Sequence, residues 1–277
     1  MKKINYLIKQ IKSKKSLSNL DDKIIKEKII NYLTKNPKFK QFLDKTSFQS
    51  LKKSSKTKLI IKTIRAELHQ TYGVFQRKLN KRYELLKQLK KNYSLEIINK
   101  ILNTHSSSAE RIKIYPNLYQ LIFKFTGKPK KILDLACGLN PLSIPYMKLK
   151  TINYTATELS KEDCKFLNNF FKILKIKAKA YSLDLTKVKQ IKGRYDICFL
   201  FKVFDSIEKK GHKIAENLIK IIPAKNIIVS FPTKTISYKA MNKPRRIWLE
   251  TMLKRISLNF IVFELGNEIF YVIEKKK

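Results

Sequence analysis

From Lys130 onward, short β-rich runs alternate with helical segments, and this alternation limits the fold more than any other feature of the sequence. The runs cover residues 131–135, 153–158, 177–183, 195–200 and 226–230. Strands joined by helices at this spacing predict βαβ units and a parallel, doubly wound sheet with helices on both faces. The chain closes differently. Residues 260–265 and 268–273 flank Gly266-Asn267, a two-residue turn that predicts an antiparallel hairpin at the sheet's edge.

The first third reads as helical throughout. Ile24, Ile25, Ile29, Ile30 and Leu33 recur at helical spacing after Asp21 and Asp22, which suit a helix start. A second run spans about residues 56–91, with Leu59, Ile60, Thr63, Ile64 and Leu68 on one face and Gly73 as an interruption. Ser94 suits the N-cap of a helix over 95–102. The chain thus divides into an all-α unit, 1–104, and an α/β unit, 105–277.

Charge then narrows the function. The 277 residues include 61 Lys and Arg against 21 Asp and Glu, a formal charge of +40. Residues 1–104 carry 27 basic and 7 acidic side chains, a surplus of 20, and the longer remainder carries the same surplus. A genome bias toward lysine would raise glutamate as well, yet acids are scarce. Such a surface attracts polyanions, of which nucleic acid is the commonest in cytosol. A hydrophobic fraction of 43% excludes a wholly disordered chain. No apolar stretch is long enough to span a bilayer, and the N-terminal residues lack the apolar core of a leader, so a cytoplasmic protein without a membrane partner is expected. Cys137, Cys164 and Cys198 include no close pair, which argues against a disulfide scaffold or a cysteine-rich metal site.

The site chemistry lies at the ends of the predicted strands. Asp134-Leu-Ala-Cys-Gly138-Leu-Asn140-Pro141 follows the first strand and is expected to open a helix. Its small residues let a ligand approach the backbone above the strands' carboxyl ends. A dinucleotide fold would use G-x-G-x-x-G for its pyrophosphate. One glycine beside an acid suits a cationic, phosphate-free ligand better, and S-adenosylmethionine is such a ligand; an ordinary strand-to-helix turn is the competing reading. Glu158 ends the second strand, where an acid accepts hydrogen bonds from ribose hydroxyls. Asp184 follows the third, placed for an adenine amino group, with Leu183 or Leu185 against the ring. Either acid alone could be a helix cap, but acids ending three successive strands are harder to explain so. Residues 198–202 carry no [DN]-P-P-[YFW] motif for amino methylation. Cys198 has no neighbouring proline and reads as a buried structural cysteine, not a nucleophile. Methyl transfer to guanine N7 needs no base, because an in-plane lone pair attacks directly, so the missing motif permits that chemistry.

The parallel sheet with an edge hairpin is similar to the class I methyltransferase (Rossmann-like) layout. A more specific likeness lies at His105-Ser-Ser-Ser-Ala-Glu110-Arg111, continuing through Tyr115-Pro-Asn-Leu-Tyr119. This segment resembles H-S-S-T-x-E-R of the aminoglycoside-resistance 16S rRNA (guanine-N7) methyltransferases, the Arm/Rmt/Fmr group. The likeness continues at Asp134–Leu142, Phe199-Leu-Phe-Lys202, Val229-Ser-Phe-Pro-Thr-Lys234 and Leu265-Gly-Asn-Glu268, and upstream at Leu68-His-Gln-Thr-Tyr-Gly73. The first 55 residues match only in being helical and basic. The resemblance implies S-adenosyl-L-methionine as cofactor and 16S rRNA of the small ribosomal subunit as partner, with no metal. His105, Ser106, Ser107 and Arg111 would line the cofactor pocket, with Arg111 pairing with the methionine carboxylate. His105 could equally cap the linker between domains. Ala136 and Gly138 would approach the methionine part, Glu158 the ribose, Asp184 and Leu185 the adenine, and Leu200 would pack under the ring. Lys202, Ser230, Pro232 and Thr233 would border the guanine, with no catalytic base. Two departures stand out: Glu158 is longer than the aspartate usual in the group, and Lys209 replaces a frequent glutamine.

Residues 234–246 form a basic loop near the expected entry of a flipped base. Lys239, Lys243, Arg245 and Arg246 are candidates for phosphate contacts, and Tyr238 or Trp248 for stacking, unless Trp248 lies in a helix core. The expected activity is thus methylation of guanine N7 in the decoding-site helix of assembled small subunits. A methyltransferase for another RNA, or an rRNA-binding assembly factor without turnover, are the alternatives.

Overall fold

The computed structural model describes residues 2–208, 211–235 and 239–275. Its strands are β1 (Lys131–Asp134), β2 (Asn153–Glu158), β3 (Lys177–Ser182), β4 (Tyr195–Phe201), β5 (Ala224–Pro232), β6 (Asn259–Leu265) and β7 (Glu268–Glu274). They form one sheet in the order β3-β2-β1-β4-β5-β7-β6. β1 to β5 pair in parallel, and β7 runs antiparallel to β5 and β6. Gly266 turns the hairpin with φ +62°, a conformation that disfavours a side chain. The strand order reverses direction between β1 and β4, which leaves a crevice above their carboxyl ends.

Both faces of the sheet are covered, and the strands alternate accordingly. In β4, Ile197, Phe199 and Phe201 enter one core, while Cys198 and Leu200 enter the other. In β5, Ile228 faces the first core, and Ile227, Val229 and Phe231 the second. Each such side chain contributes roughly 1.5–3 kcal/mol by leaving water, so residues of this kind fix the register.

The helices in chain order are α1 (Lys2–Lys12), α2 (Asp22–Lys35), α3 (Pro37–Lys45), α4 (Phe48–Lys53), α5 (Ser55–Thr71), α6 (Arg82–Lys91), α7 (Leu95–Leu102), α8 (Ser106–Arg111), α9 (Tyr115–Thr126), α10 (Lys161–Leu174), α11 (Phe204–Ile207), α12 (Lys213–Ile221) and α13 (Ile247–Arg255). Ser94 caps α7, its Oγ accepting from the Glu96 amide at 3.1 Å. On α5 the buried stripe is Thr57, Ile60, Ile64 and Leu68, whereas Leu59 is 47% exposed and Thr63 faces solvent. Ile60, Ile64 and Leu68 of the expected face are thus buried, and Leu59 and Thr63 at its edge are not. The helix expected after Gly138 is a 3-10 stretch instead, Asn140–Met147; Pro145 lies inside it and lacks the amide donor an α-helix needs there, whereas Pro141 in the first turn would be tolerated.

Residues between Leu7 and Tyr72 build a core of their own. α6 and α7 lie before residue 104, yet Leu86, Leu89, Ile98, Ile101 and Leu102 pack into the core beneath the sheet. The helical bundle is joined to the α/β body at Asp163, whose carboxylate accepts from Tyr72 Oη, from Asn19 Nδ2 at 3.1 Å and from Arg82 Nη1 at 3.4 Å. Among the described residues no helix is long and apolar enough to cross a membrane.

Candidate active site

The loop leaving β1 is held open by two left-handed residues, Ala136 at φ +48° and Gly138 at φ +55°. Its amides are pinned to β2: Cys137 N donates to Thr157 O at 2.9 Å, and Gly138 N to Glu158 Oε1 at 2.7 Å. Glu158 Oε2 accepts from Leu159 N at 2.7 Å. The longer side chain thus spans from the end of β2 to the loop. A Cβ on Gly138 would lie 2.5 Å from His105 Cε1, so glycine is required there twice over, by dihedral and by contact.

His105 bridges the two parts of the chain. Its ring stacks on Phe75 at 5.7 Å, its edge touches Gly138, and Nδ1 lies 3.1 Å from Ser108 Oγ. Burial, then the charges of Arg82 and Arg111, depress its pKa well below the usual value, so the imidazole is neutral. Ser106 Oγ donates to Val74 O at 3.3 Å, and Ser107 is buried in the first turn of α8.

Two acids beside the loop are buried without a basic partner. Asp134 Oδ2 accepts from Asn140 Nδ2 at 2.9 Å and Tyr154 Oη at 2.6 Å, yet burial still pushes its pKa up to about 6. Burial, and next the charge of Asp163, push Glu158 up to about 7 against the pull of its two amides. Among the described residues no Lys or Arg forms an ion pair with either. In a chain with nearly three bases per acid, a crevice of this sign suits a cationic ligand. Asp184 is placed differently: a third exposed, it accepts from Thr186 N at 3.0 Å and Thr186 Oγ1 at 2.6 Å, and Lys187 lies 3.6 Å away. Leu185 and Leu200 are buried on the same face of the sheet, with Ala136 and Leu183 packed against that cluster.

Arg111 is fully buried under the hairpin. Its Nε and Nη2 donate to Glu268 Oε2 at 3.0 and 2.9 Å, and its guanidinium lies over Phe201, 4.8 Å from the ring centroid. Lys202, at φ +57°, turns its Nζ inward to Glu110 and to Glu268 Oε1, the latter at 3.3 Å. Ser230 Oγ completes the group by donating to Glu268 Oε2 at 2.8 Å. Burial alone would raise the Glu268 pKa, but Arg111 and then Lys202 outweigh it and hold the carboxyl below the usual range. Lys202 and Ser230, expected at the guanine, therefore anchor a buried network of alternating charge. Glu268 organises it and had no expected role. Its signal was an acid opening the otherwise apolar strand Glu-Ile-Phe-Tyr-Val-Ile. Pro232 ends β5, and Thr233 N donates to Asn267 O at 2.9 Å.

In the basic loop, Lys239 and Lys243 are exposed. Arg245 pairs with Glu250 at 2.8 Å. Arg246 folds inward over Phe231 with Asp205 at 3.0 Å, which makes it a brace of the loop. Trp248 is half-buried, stacked on His212 at 4.0 Å and edge-on to Phe204 and Phe231. Tyr238 and Lys209 lie outside the described residues. Cys198 is fully buried in β4 and burial pushes its thiol pKa up, as befits a structural residue. Among the described residues no cluster of His, Cys, Asp or Glu could hold a metal ion.

The model of the ribosomal RNA methyltransferase (FmrO) family matches residues 56–272. The chain belongs to that family. A 16S rRNA (guanine(1405)-N(7))-methyltransferase of Proteus mirabilis is 26% identical over 238 residues, covering 79% of this chain and 85% of the relative. The enzyme of that name from Micromonospora echinospora is 28% identical over 227 residues, covering 78% and 82%. Among solved structures, the 16S rRNA methyltransferase RmtF in complex with S-adenosyl-L-homocysteine superposes with a TM-score of 0.78 at 20% identity, covering 100% of this chain and 99% of that one. The 16S rRNA methylase ArmA gives 0.55 at 28% identity, covering 69% and 98%. The class I methyltransferase fold with its helical N-terminal unit is thus shared along the whole chain. The family match begins inside α5, so α1 to α4 of this FmrO-family chain precede it.

Proposed function

We propose that this FmrO-family protein transfers a methyl group from S-adenosyl-L-methionine to guanine N7 in the decoding-site helix of 16S rRNA, within assembled small subunits in the cytoplasm. The observation that carries the reading is the pair of buried, unpaired acids, Asp134 and Glu158, beside a loop opened by Ala136 and Gly138. A cation placed there would remove the penalty that raises both pKa values. The cofactor, when bound, supplies an electrophilic methyl on a sulfonium.

In this reading the protein's own residues orient and desolvate. Glu158 receives the ribose hydroxyls, Asp184 the adenine amino group, and Leu185 and Leu200 supply the apolar wall. Arg111 presents Nη1 to the methionine carboxylate while Glu268 fixes Nε and Nη2. His105, Ser106 and Ser107 close the pocket from the N-terminal side. Guanine N7 carries no proton, so no residue need act as base, and Lys202, Ser230, Pro232 and Thr233 shape the wall that the base meets. Lys239 and Lys243, with the basic surplus of 20 on the helical unit, take phosphates without reading sequence.

Labelled methyl incorporation into intact small subunits, free 16S rRNA and tRNA tests this directly. Label in intact subunits, with little in free rRNA and none in tRNA, is expected. Label in tRNA, or in free rRNA only, would overturn it.

A further inference from the structure

The buried network of alternating charge is open at one end. Arg111 and Glu268 are closed off from solvent, whereas Lys202 is 10% exposed and Glu110 27%. Glu110 stands on α8, one turn past the serines proposed to line the cofactor pocket. It meets Lys202 at the carboxyl end of β4, where Lys202 N donates to Ser230 O at 3.0 Å. That is the rim of the crevice and the wall proposed to face the target base. Lys202 does not depend on Glu110 for charge balance, since Glu268 Oε1 lies 3.3 Å from its Nζ. Nor does an open acid help to hold RNA. In a chain with 61 basic and 21 acidic side chains, a carboxylate at this mouth repels the phosphate backbone. What it can do is accept from the N–H groups of a base.

Ammonium and carboxylate side by side present a donor next to an acceptor. The Watson–Crick edge of guanine is the complement: O6 accepts, and beside it N1–H and N2–H donate. Adenine and cytosine show a donor first and then an acceptor, and uracil lacks the second donor. A flipped base is read on this edge, which leaves N7, on the other side of the ring system, free to attack the methyl. We infer that Glu110 is a specificity residue, its carboxylate accepting from N1–H and N2–H of the target guanine while Lys202 donates to O6. This deepens the proposed function and rests on it. When Glu110 turns to the base, Lys202 keeps Glu268 as its countercharge.

The test pairs a change in the protein with a change in the base. Small subunits are reconstituted with 16S rRNA carrying guanosine or inosine at the position the parent methylates. Inosine keeps O6, N1–H and N7 but has no N2 amino group. The full-length parent and Glu110→Ala are assayed on both particles, with Glu110→Gln as a second variant that keeps the side chain's shape. For the parent, inosine should lower kcat/KM about 10- to 100-fold, because a carboxylate placed for two donors loses one. In Glu110→Ala the guanosine rate falls by a similar factor, and the inosine penalty should shrink to less than about threefold. Glu110→Gln, a weaker acceptor, should fall between. Cofactor affinity by calorimetry should stay within about twofold of the parent in both variants. An inosine penalty of one size in parent and variants would show that Glu110 does not touch the base. A parent that methylated both particles equally would also overturn the inference. Cofactor affinity falling as far as turnover would put Glu110 on the cofactor and overturn it too. These three results leave the proposed function standing. A parent that methylated no guanosine particle would overturn that reading and the inference with it.

Discussion

With both oxygens on backbone amides and no ion pair to a Lys or Arg among the described residues, the Glu158 carboxyl titrates near pH 7. The groups facing it are acidic, Asp163 first and then Asp134. Its folded pKa lies above the ordinary carboxyl value, so its contribution to stability is full below about pH 4.5 and is lost as pH rises through 7. The shift corresponds to roughly 3 kcal/mol. Urea unfolding at pH 5 and pH 8 should therefore show a larger loss for the parent than for Glu158→Gln; equal losses would contradict the assignment. Cofactor affinity should rise with pH through the same window more steeply in the parent than in the variant, where Asp134 still titrates, because the ionised carboxyl is the better acceptor. Glu268 behaves in the opposite sense. Replacing it by Gln strips the countercharge from buried Arg111 and should cost about 3–5 kcal/mol, whereas adding Arg111→Met should restore part of it. Additive losses in that double-variant cycle would mean that the two residues do not act as a pair.

At the level of elements, the loop after β1 depends on a contact made from the other part of the chain. Gly138→Ala forces a Cβ against His105 and should destabilise by about 1–3 kcal/mol, with cofactor affinity falling alongside. In a His105→Ala background the steric part disappears and the penalty should shrink to that of the dihedral; an unchanged penalty would show that His105 does not clamp the loop. Much of this level was legible in the chain. The strands were, because β-rich runs buried on both faces leave a local signal, and so was Ser94, because a cap acts within three residues. The 3-10 geometry after Gly138 was only half legible, since Pro141 suits a helix start and Pro145 alone denies an α-helix its amide donor. On α5 the apolar side chains of Leu59 and Ile60 compete for one stripe, and only packing against the bundle decides for Ile60. The acids proposed to meet the cofactor, Glu158 and Asp184, were legible as residues at or just past strand ends. The inward turn of Lys202 was not, since Glu110 and Glu268 reach it from segments far apart in sequence, and the Arg111–Glu268 pair spans 157 positions.

Over the whole molecule the charge of +40 works in two directions. It opposes the compact state by self-repulsion and draws the protein to RNA. Raising KCl from 50 to 300 mM screens both, so Tm should rise while subunit affinity falls steeply; a Tm that fell in parallel would mean that specific surface ion pairs outweigh the net repulsion. The bundle and the α/β body meet at Asp163 and His105, so the surface proposed to grip RNA is tied to the loop proposed to hold the methyl donor. The most direct test is mass-spectrometric mapping of modified nucleotides in rRNA from cells with and without the gene. The account predicts 7-methylguanosine at one decoding-site position of 16S rRNA, present only with the gene and absent when Glu158 and Asp184 are both replaced by alanine. An unchanged 16S rRNA, or a gene-dependent methyl on a different atom or a different RNA, would contradict it.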